Sequence, residues 1–104
     1  MEFIETSQFS RLREKYLNDA RFNLLQLYLM ESPDAGDVIQ GSGGVRKLRW
    51  GTKGRGKQGG LRVVYYWITR DDQILFLTLY GKSEAKDLSR DAIRAMRQLV
   101  KPLL

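Results

Sequence analysis

The chain has 104 residues, enough for one two-layer core and too few for a cofactor domain beside a substrate domain, so a full dinucleotide fold is excluded. Its 42% hydrophobic and 29% charged content is that of a globular protein; the absence of cysteine and histidine removes disulfides, thiolate and Ser-His nucleophiles, histidine-pair ribonuclease chemistry and most transition-metal sites. The net charge of +6 has one source, because Val38 to Arg70 carries eight bases and no acid while the rest of the chain holds ten bases and twelve acids, which is the footprint a polyanion requires.

Taken in order, "MEFIE" alternates and predicts an edge or opening strand. It carries acids where a secretory signal would carry bases, and the chain has no apolar run of about 18 residues, so the expectation is a cytoplasmic protein with no membrane segment. "TSQFSRLREKYL" places Phe9, Leu12 and Tyr16 near helical spacing behind Thr6 and Ser7 as caps, and "NDARFNLLQLYLM" restarts after Asn18-Asp19 with Phe22, Leu25 and Leu29 on one stripe. Pro33 and Gly36 in "ESPDAGD" end the second helix, and "VIQGSGG" is a glycine-rich link. "VRKLRW" alternates as a strand with Val45, Lys47 and Arg49 on one face. "LRVVYYWIT" and "QILFLTLY", separated by Arg70-Asp71-Asp72, complete a meander of three strands. Ser83 and Ser89 are caps for helical segments, and "RDAIRAMRQLVKPLL" sets Ile93, Met96, Leu99 and Val100 against Arg90, Arg94, Arg97 and Lys101 as an amphipathic closing helix.

The order β-α-α-β-β-β-α predicts a small α+β protein, a single domain over residues 1–104, with helices packed on one face of an antiparallel sheet and the other face open. That order decides how to read "GTKGRGKQGG" at residues 51 to 60. Gly51 with Gly56-Lys57 fits the phosphate-loop spacing, and Gly54, Gly56 and Gly59 fit the dinucleotide fingerprint. Both motifs need a helix directly after the loop to hold phosphate at its amino terminus, and here a strand is expected; Gln58 also stands where the phosphate loop needs a hydroxyl. Two readings remain: a polar, solvated hairpin loop, or a basic glycine loop in which Lys53, Arg55 and Lys57 follow a sugar-phosphate chain, with Trp50, Tyr65, Tyr66 and Trp67 as stacking surfaces. Alternation also predicts that about half of those rings are core.

Lys47, Arg49 and Arg62 are expected to converge on the open sheet face. Such a cluster suits RNA cleavage by its own 2′-hydroxyl, which needs in-line geometry, a base, cations for the developing phosphate charge and an acid for the leaving oxygen, with no metal or other cofactor. Arginine supplies fixed donors matched to phosphate oxygens. A non-catalytic RNA- or ribosome-binding module is the alternative consistent with the same residues.

"GDVIQGSGGVRKLRW", the basic loop, "LRVVYYW" and "LTLYGKSEAKDLS" together resemble the RelE superfamily of bacterial toxins, HigB-type members in particular. The resemblance implies a ribosome-dependent messenger-RNA endonuclease acting on the 70S ribosome and silenced by a helix-turn-helix, HigA-like antitoxin. By this likeness the family's basic strand pair falls on Lys47 and Arg49, its strand arginine on Arg62, and the lysine of its "GK" motif on Lys82, a candidate proton carrier. Family members that follow this lysine with an arginine and then a functional tyrosine differ here, where Ser83 and Ser89 stand; Tyr66, Tyr80 and Lys86 are the expected substitutes. The basic side of the closing helix is expected to meet ribosomal RNA.

Overall fold

The computed structural model describes residues 1–51, 60–81 and 88–104. Strand β1 (Glu2–Glu5) leads into helix α1 (Ser7–Tyr16) and helix α2 (Asp19–Glu31). Strands β2 (Asp37–Val38), β3 (Arg46–Trp50), β4 (Leu61–Ile68) and β5 (Gln73–Gly81) follow, then helix α3 (Arg90–Val100) and a closing 3₁₀ turn at Lys101–Leu103. The α+β class and the predicted order hold, with the two-residue β2 added inside the stretch read as a link.

Each helix starts where a side-chain oxygen takes an otherwise orphaned backbone N–H. Thr6 accepts from the Phe9 amide, Asn18 from the Arg21 amide and Ser89 from the Ala92 amide. Thr6 does more, since its hydroxyl also donates to the Leu77 carbonyl at 2.8 Å and stitches the start of α1 to β5.

The sheet order is β1-β5-β4-β3-β2. Three of the four pairings are antiparallel, whereas β1 lies parallel to β5, so the sheet is mixed where a fully antiparallel one was expected. The chain reaches β1's neighbour only after crossing the whole molecule, and pattern within a strand carries no information on so distant a partner.

On the first face, α1 and α2 cover Leu48, Leu61, Val63, Tyr65, Ile74, Phe76 and Leu79. All four phenylalanines of the chain meet there: Phe9 stacks on Phe76 at 4.6 Å, with Phe22 at 5.5 Å and Phe3 at 5.9 Å from the same ring. Offset ring pairs of this kind add roughly 0.5–1.5 kcal/mol each beyond area burial. On the second face, Val45, Val64, Tyr66, Ile68 and Leu77 pack with Val100 of α3, and Met96 lies against them.

The expectation that all helices share one face is therefore corrected. The apolar stripe of α3 has to be buried, the first face is already filled by α1 and α2, and β4 offers Val64, Tyr66 and Ile68 on the other side. The signal was present in "VVYYWI", a near-continuous apolar run of the kind found in strands buried on both faces. Among the described residues, α3 covers this face at Val64, Tyr66 and Ile68 and not at Arg62, at the start of β4.

Tyr65 ties the sheet to the segment after α2. Fully buried, it donates its hydroxyl hydrogen to the Pro33 carbonyl at 2.8 Å and accepts from the Gly36 amide at 3.0 Å. Gly36 is needed there, because a Cβ would sit 3.0 Å from the Lys47 carbonyl. Burial raises the Tyr65 pKa above its ordinary 10.0, while the Gly36 amide opposes this. The folded state thus holds that proton more tightly than the unfolded chain does. The resulting stability is complete below the ordinary value and is lost as pH climbs through the raised one. Tyr65→Phe is expected to lower stability by about 1–3 kcal/mol at neutral pH, since it strands a buried amide. It should also flatten part of the decline at strongly alkaline pH, as urea titrations of both proteins across pH will read.

Candidate functional site

Alternation of side chains along β3 sorts its bases by role. Arg46 lies opposite Tyr65, on the first face, and its guanidinium Nη1 donates to the Asp34 carbonyl at 3.1 Å and the Gly36 carbonyl at 2.7 Å. It is a structural brace for the segment after α2. Lys47 and Arg49 point to the second face, opposite Val64 and Arg62 respectively. Directly opposed residues have Cβ atoms about 4.5–5.5 Å apart, so Arg49 and Arg62 form a like-charge pair across the strands. Arg49 is exposed, while Lys47 and Arg62 are half-buried.

The Nη1 atom of Arg62 is buried and has no hydrogen-bond partner among the described residues. Most buried donors in folded proteins are satisfied, and a charged one left open is costly. No acid among the described residues forms an ion pair with Arg49 or Arg62. Strand register holds the two guanidiniums together, and the buried Nη1 of Arg62 meets no acceptor among the described residues.

Tyr80 completes this end of the face, lying opposite Arg62 on β5. It arrives there through a β-bulge. Val64 pairs with Thr78 and Tyr65 with Phe76, so Leu77 is an extra residue. Strict alternation from Phe76 would have put Tyr80 on the first face, and the bulge turns it toward the cations. Asp37, which the sequence reading did not single out, pairs with Lys47 and brings the single carboxylate of β2 to the edge of the group. Its position just before the acid-free stretch was the available signal.

The other expected residues fall elsewhere. Tyr66 is only 7% exposed and sits beneath α3; even the Cβ of a residue replacing Gly44 would stand 3.2 Å from its ring. Its expected role in RNA stacking is replaced by core packing, because α3 occupies the ring face a base would need. Trp50, Tyr65 and Trp67 lie on the first face, where Trp50 packs on Tyr28 at 5.3 Å. Lys53, Arg55 and Lys57 of the glycine loop, together with Lys82, Ser83 and Lys86, lie outside the described residues. The loop is followed by strand β4 from Leu61, so neither nucleotide motif has its helix.

Two clefts lie along α3. One, of about 450 Å³, lies behind Tyr80 between β5, the start of α1 and α3, with largely apolar walls that include Leu77, Leu88, Met96 and Leu99. The other, of about 250 Å³, lies between Gln40-Gly41 and the basic side of α3.

The family model described as RelE toxin of the RelE/RelB toxin-antitoxin system matches residues 2–104, and the chain belongs to this family. It is a toxin of a toxin-antitoxin system, as the resemblance in its strands implied. Among solved structures it is similar to a chain of the intact E. coli RelBE toxin-antitoxin complex, with a TM-score of 0.52 and 16% identity over 76% of this chain and 97% of that one. At that identity the likeness shows a shared fold. Among the described residues, no helix is long and apolar enough to cross a membrane.

Opposed like charges on neighbouring strands oppose folding by roughly 0.2–1 kcal/mol. Arg49→Thr is therefore expected to raise stability by about 0.5 kcal/mol in urea denaturation, the reverse of the usual effect of an arbitrary substitution.

Proposed function

We propose that this toxin is a ribosome-dependent endoribonuclease of HigB type, cleaving messenger RNA on the 70S ribosome and so halting translation. The observation that carries this reading is the opposition of Arg49 and Arg62, with an Arg62 donor buried and unsatisfied among the described residues. A phosphodiester seated on that end would supply the missing acceptor and relieve the repulsion together. Bidentate contact from a guanidinium suits two phosphate oxygens.

The chemistry is transesterification. The 2′-oxygen attacks the adjacent phosphorus in line, losing its proton, and the bond from phosphorus to the 5′-oxygen breaks as that oxygen gains a proton. The products are a 2′,3′-cyclic phosphate and a 5′-hydroxyl. Arg62 neutralises the charge that grows on the non-bridging oxygens, the position where fixed donors contribute most. Lys47 and Arg49 hold the phosphate along the strand, Lys47 with Asp37 across from it. Tyr80, opposite Arg62, flanks the scissile bond and takes the stacking place that Tyr66 cannot. Lys82, on the family's "GK" lysine, is the proton carrier, and Lys53, Arg55, Lys57 and Lys86 extend the contact to the transcript. A HigA-like helix-turn-helix antitoxin is the proposed partner; the E. coli toxin-antitoxin complex supports an antitoxin partner without bearing on its type.

Removing Arg62 decides between this reading and a non-catalytic RNA- or ribosome-binding module. After brief induction, primer extension on cellular messages should show codon-register cuts with the wild type. Arg62→Ala is expected to reduce cutting by about 10²–10³-fold, the loss typical of an oxyanion donor, with its melting transition intact. Undiminished cutting by a folded Arg62→Ala protein would remove Arg62 from the mechanism, and translation arrest without any cuts by the wild type would favour the binding module.

A further inference from the structure

The cleft between the β2–β3 turn and α3 has no part in the cleavage chemistry, yet its construction is that of an anion site. Its walls are Gln40 and Gly41 of the turn and Arg90, Ile93, Arg94 and Arg97 of the helix. Arg90, Arg94, Arg97 and Lys101 recur at intervals of four, three and four, so they form one stripe along α3. Like charges at these spacings weaken a helix, and a stripe of four with one acid nearby among the described residues is not how a solvated face is usually balanced. Asp91 is that acid, and it reaches Arg94 alone, at 3.3 Å and largely in solvent. Arg90 and Arg97 have no acidic partner among the described residues.

The turn that forms the opposite wall is rigidly seated. Gly41, Gly43 and Gly44 all have positive φ, at 83°, 82° and 110°. The fully buried Ser42 is satisfied within the turn, donating to the Ile39 carbonyl at 2.6 Å and accepting from the Val45 amide at 2.9 Å. A Cβ on Gly43 would stand 3.5 Å from the stem of Arg97, so this backbone approaches the helix closely enough to shape one side of the cleft.

The cleft on the other side of α3, along β5, is lined mainly by apolar side chains, which offer nothing to a phosphate. We infer that Arg90, Arg94 and Arg97, with the Gln40-Gly41 turn, form a second phosphate-backbone subsite, which grips the RNA strand away from the scissile bond. Three arginines, with planar forks rather than ammonium points, suit several successive phosphates without reading sequence. The subsite rests on the proposed reading that the chain engages RNA, and it adds where the strand runs.

The test uses a short fluorescein-labelled RNA strand made wholly of 2′-O-methyl nucleotides, which binds and offers no 2′-hydroxyl to attack. Its affinity is followed by anisotropy against salt for the full chain. Each single-strand phosphate contact contributes about 0.7 to the slope of log affinity against log salt. Arg90→Gln/Arg94→Gln/Arg97→Gln should lower the slope by about 2, whereas Arg11→Gln/Lys15→Gln/Arg21→Gln, which removes equal charge from α1 and α2, should leave it near the wild-type value. The matching triple Arg→Lys variant keeps the slope. An unchanged slope in the α3 glutamine variant, an equal fall in both glutamine variants, or a fall in the lysine variant overturns the subsite. If the wild type shows no salt-sensitive binding of the strand at all, the RNA reading fails together with it, whereas binding whose salt slope is unchanged without the α3 arginines defeats the subsite alone.

Discussion

The register between β3 and β4 is the constraint on which the rest of this molecule depends. It sets Arg49 against Arg62 and Leu48 against Val63 in one alignment. Because side chains alternate, a slip of one residue would send the arginines into the core and the leucine into water. Leu48 and Val63 on the first face and Val64 on the second bury this alignment from both sides. Tyr65 and Arg46, a cross-strand pair, each bind the segment around Gly36, one through its hydroxyl and the other through its guanidinium. The apolar and hydrogen-bonded pairs thus hold the repulsive one in place, which is how two guanidiniums with no ion-pair partner among the described residues come to share a surface.

Whether that surface is usable depends on where α3 stops covering it. The helix packs over Val45, Val64 and Tyr66 through Val100, and leaves Arg49 exposed. Had α3 joined α1 and α2, Val64, Tyr66 and Ile68 would have faced solvent as an apolar patch, which soluble surfaces avoid unless a partner covers it. The division of β4 into a covered end and a cationic end is therefore a requirement of its composition. Arg62 is the single charged residue in Leu61–Ile68, and it lies outside the cluster that α3 covers.

Much of this was legible in the chain. Caps at Thr6, Asn18 and Ser89 follow from a local rule, an oxygen within reach of an amide three residues on, and local rules read well from sequence. The common face of Lys47 and Arg49 follows from alternation in "VRKLRW". What escaped has non-local causes. The parallel pairing of β1 is a contact with a strand some 70 positions away, Phe3 with Ile74 among its pairs. Burial of Tyr66 follows from the competition among three helices for two faces, which no window of sequence contains. Tyr80 reaches the cations only through the bulge at Leu77, and "QILFLTLY" carries no glycine or proline to mark it.

Charge is divided along the chain as sharply as the sheet faces are. Residues 1–37 hold seven acids and four bases, and residues 38–70 hold eight bases and no acid. The acidic portion builds β1, α1, α2 and β2, while the basic portion builds β3 and β4, and α3 adds its arginines on the second face. The protein therefore has an acidic helical side and a basic side centred on the uncovered sheet end. An approaching polyanion meets an attractive field on one side and a weaker or repulsive one on the other, so orientation is biased before contact is made. The bias also explains why Arg46 could be given over to bracing the segment after α2 without loss, since its charge still adds to the field while its donors are used for structure.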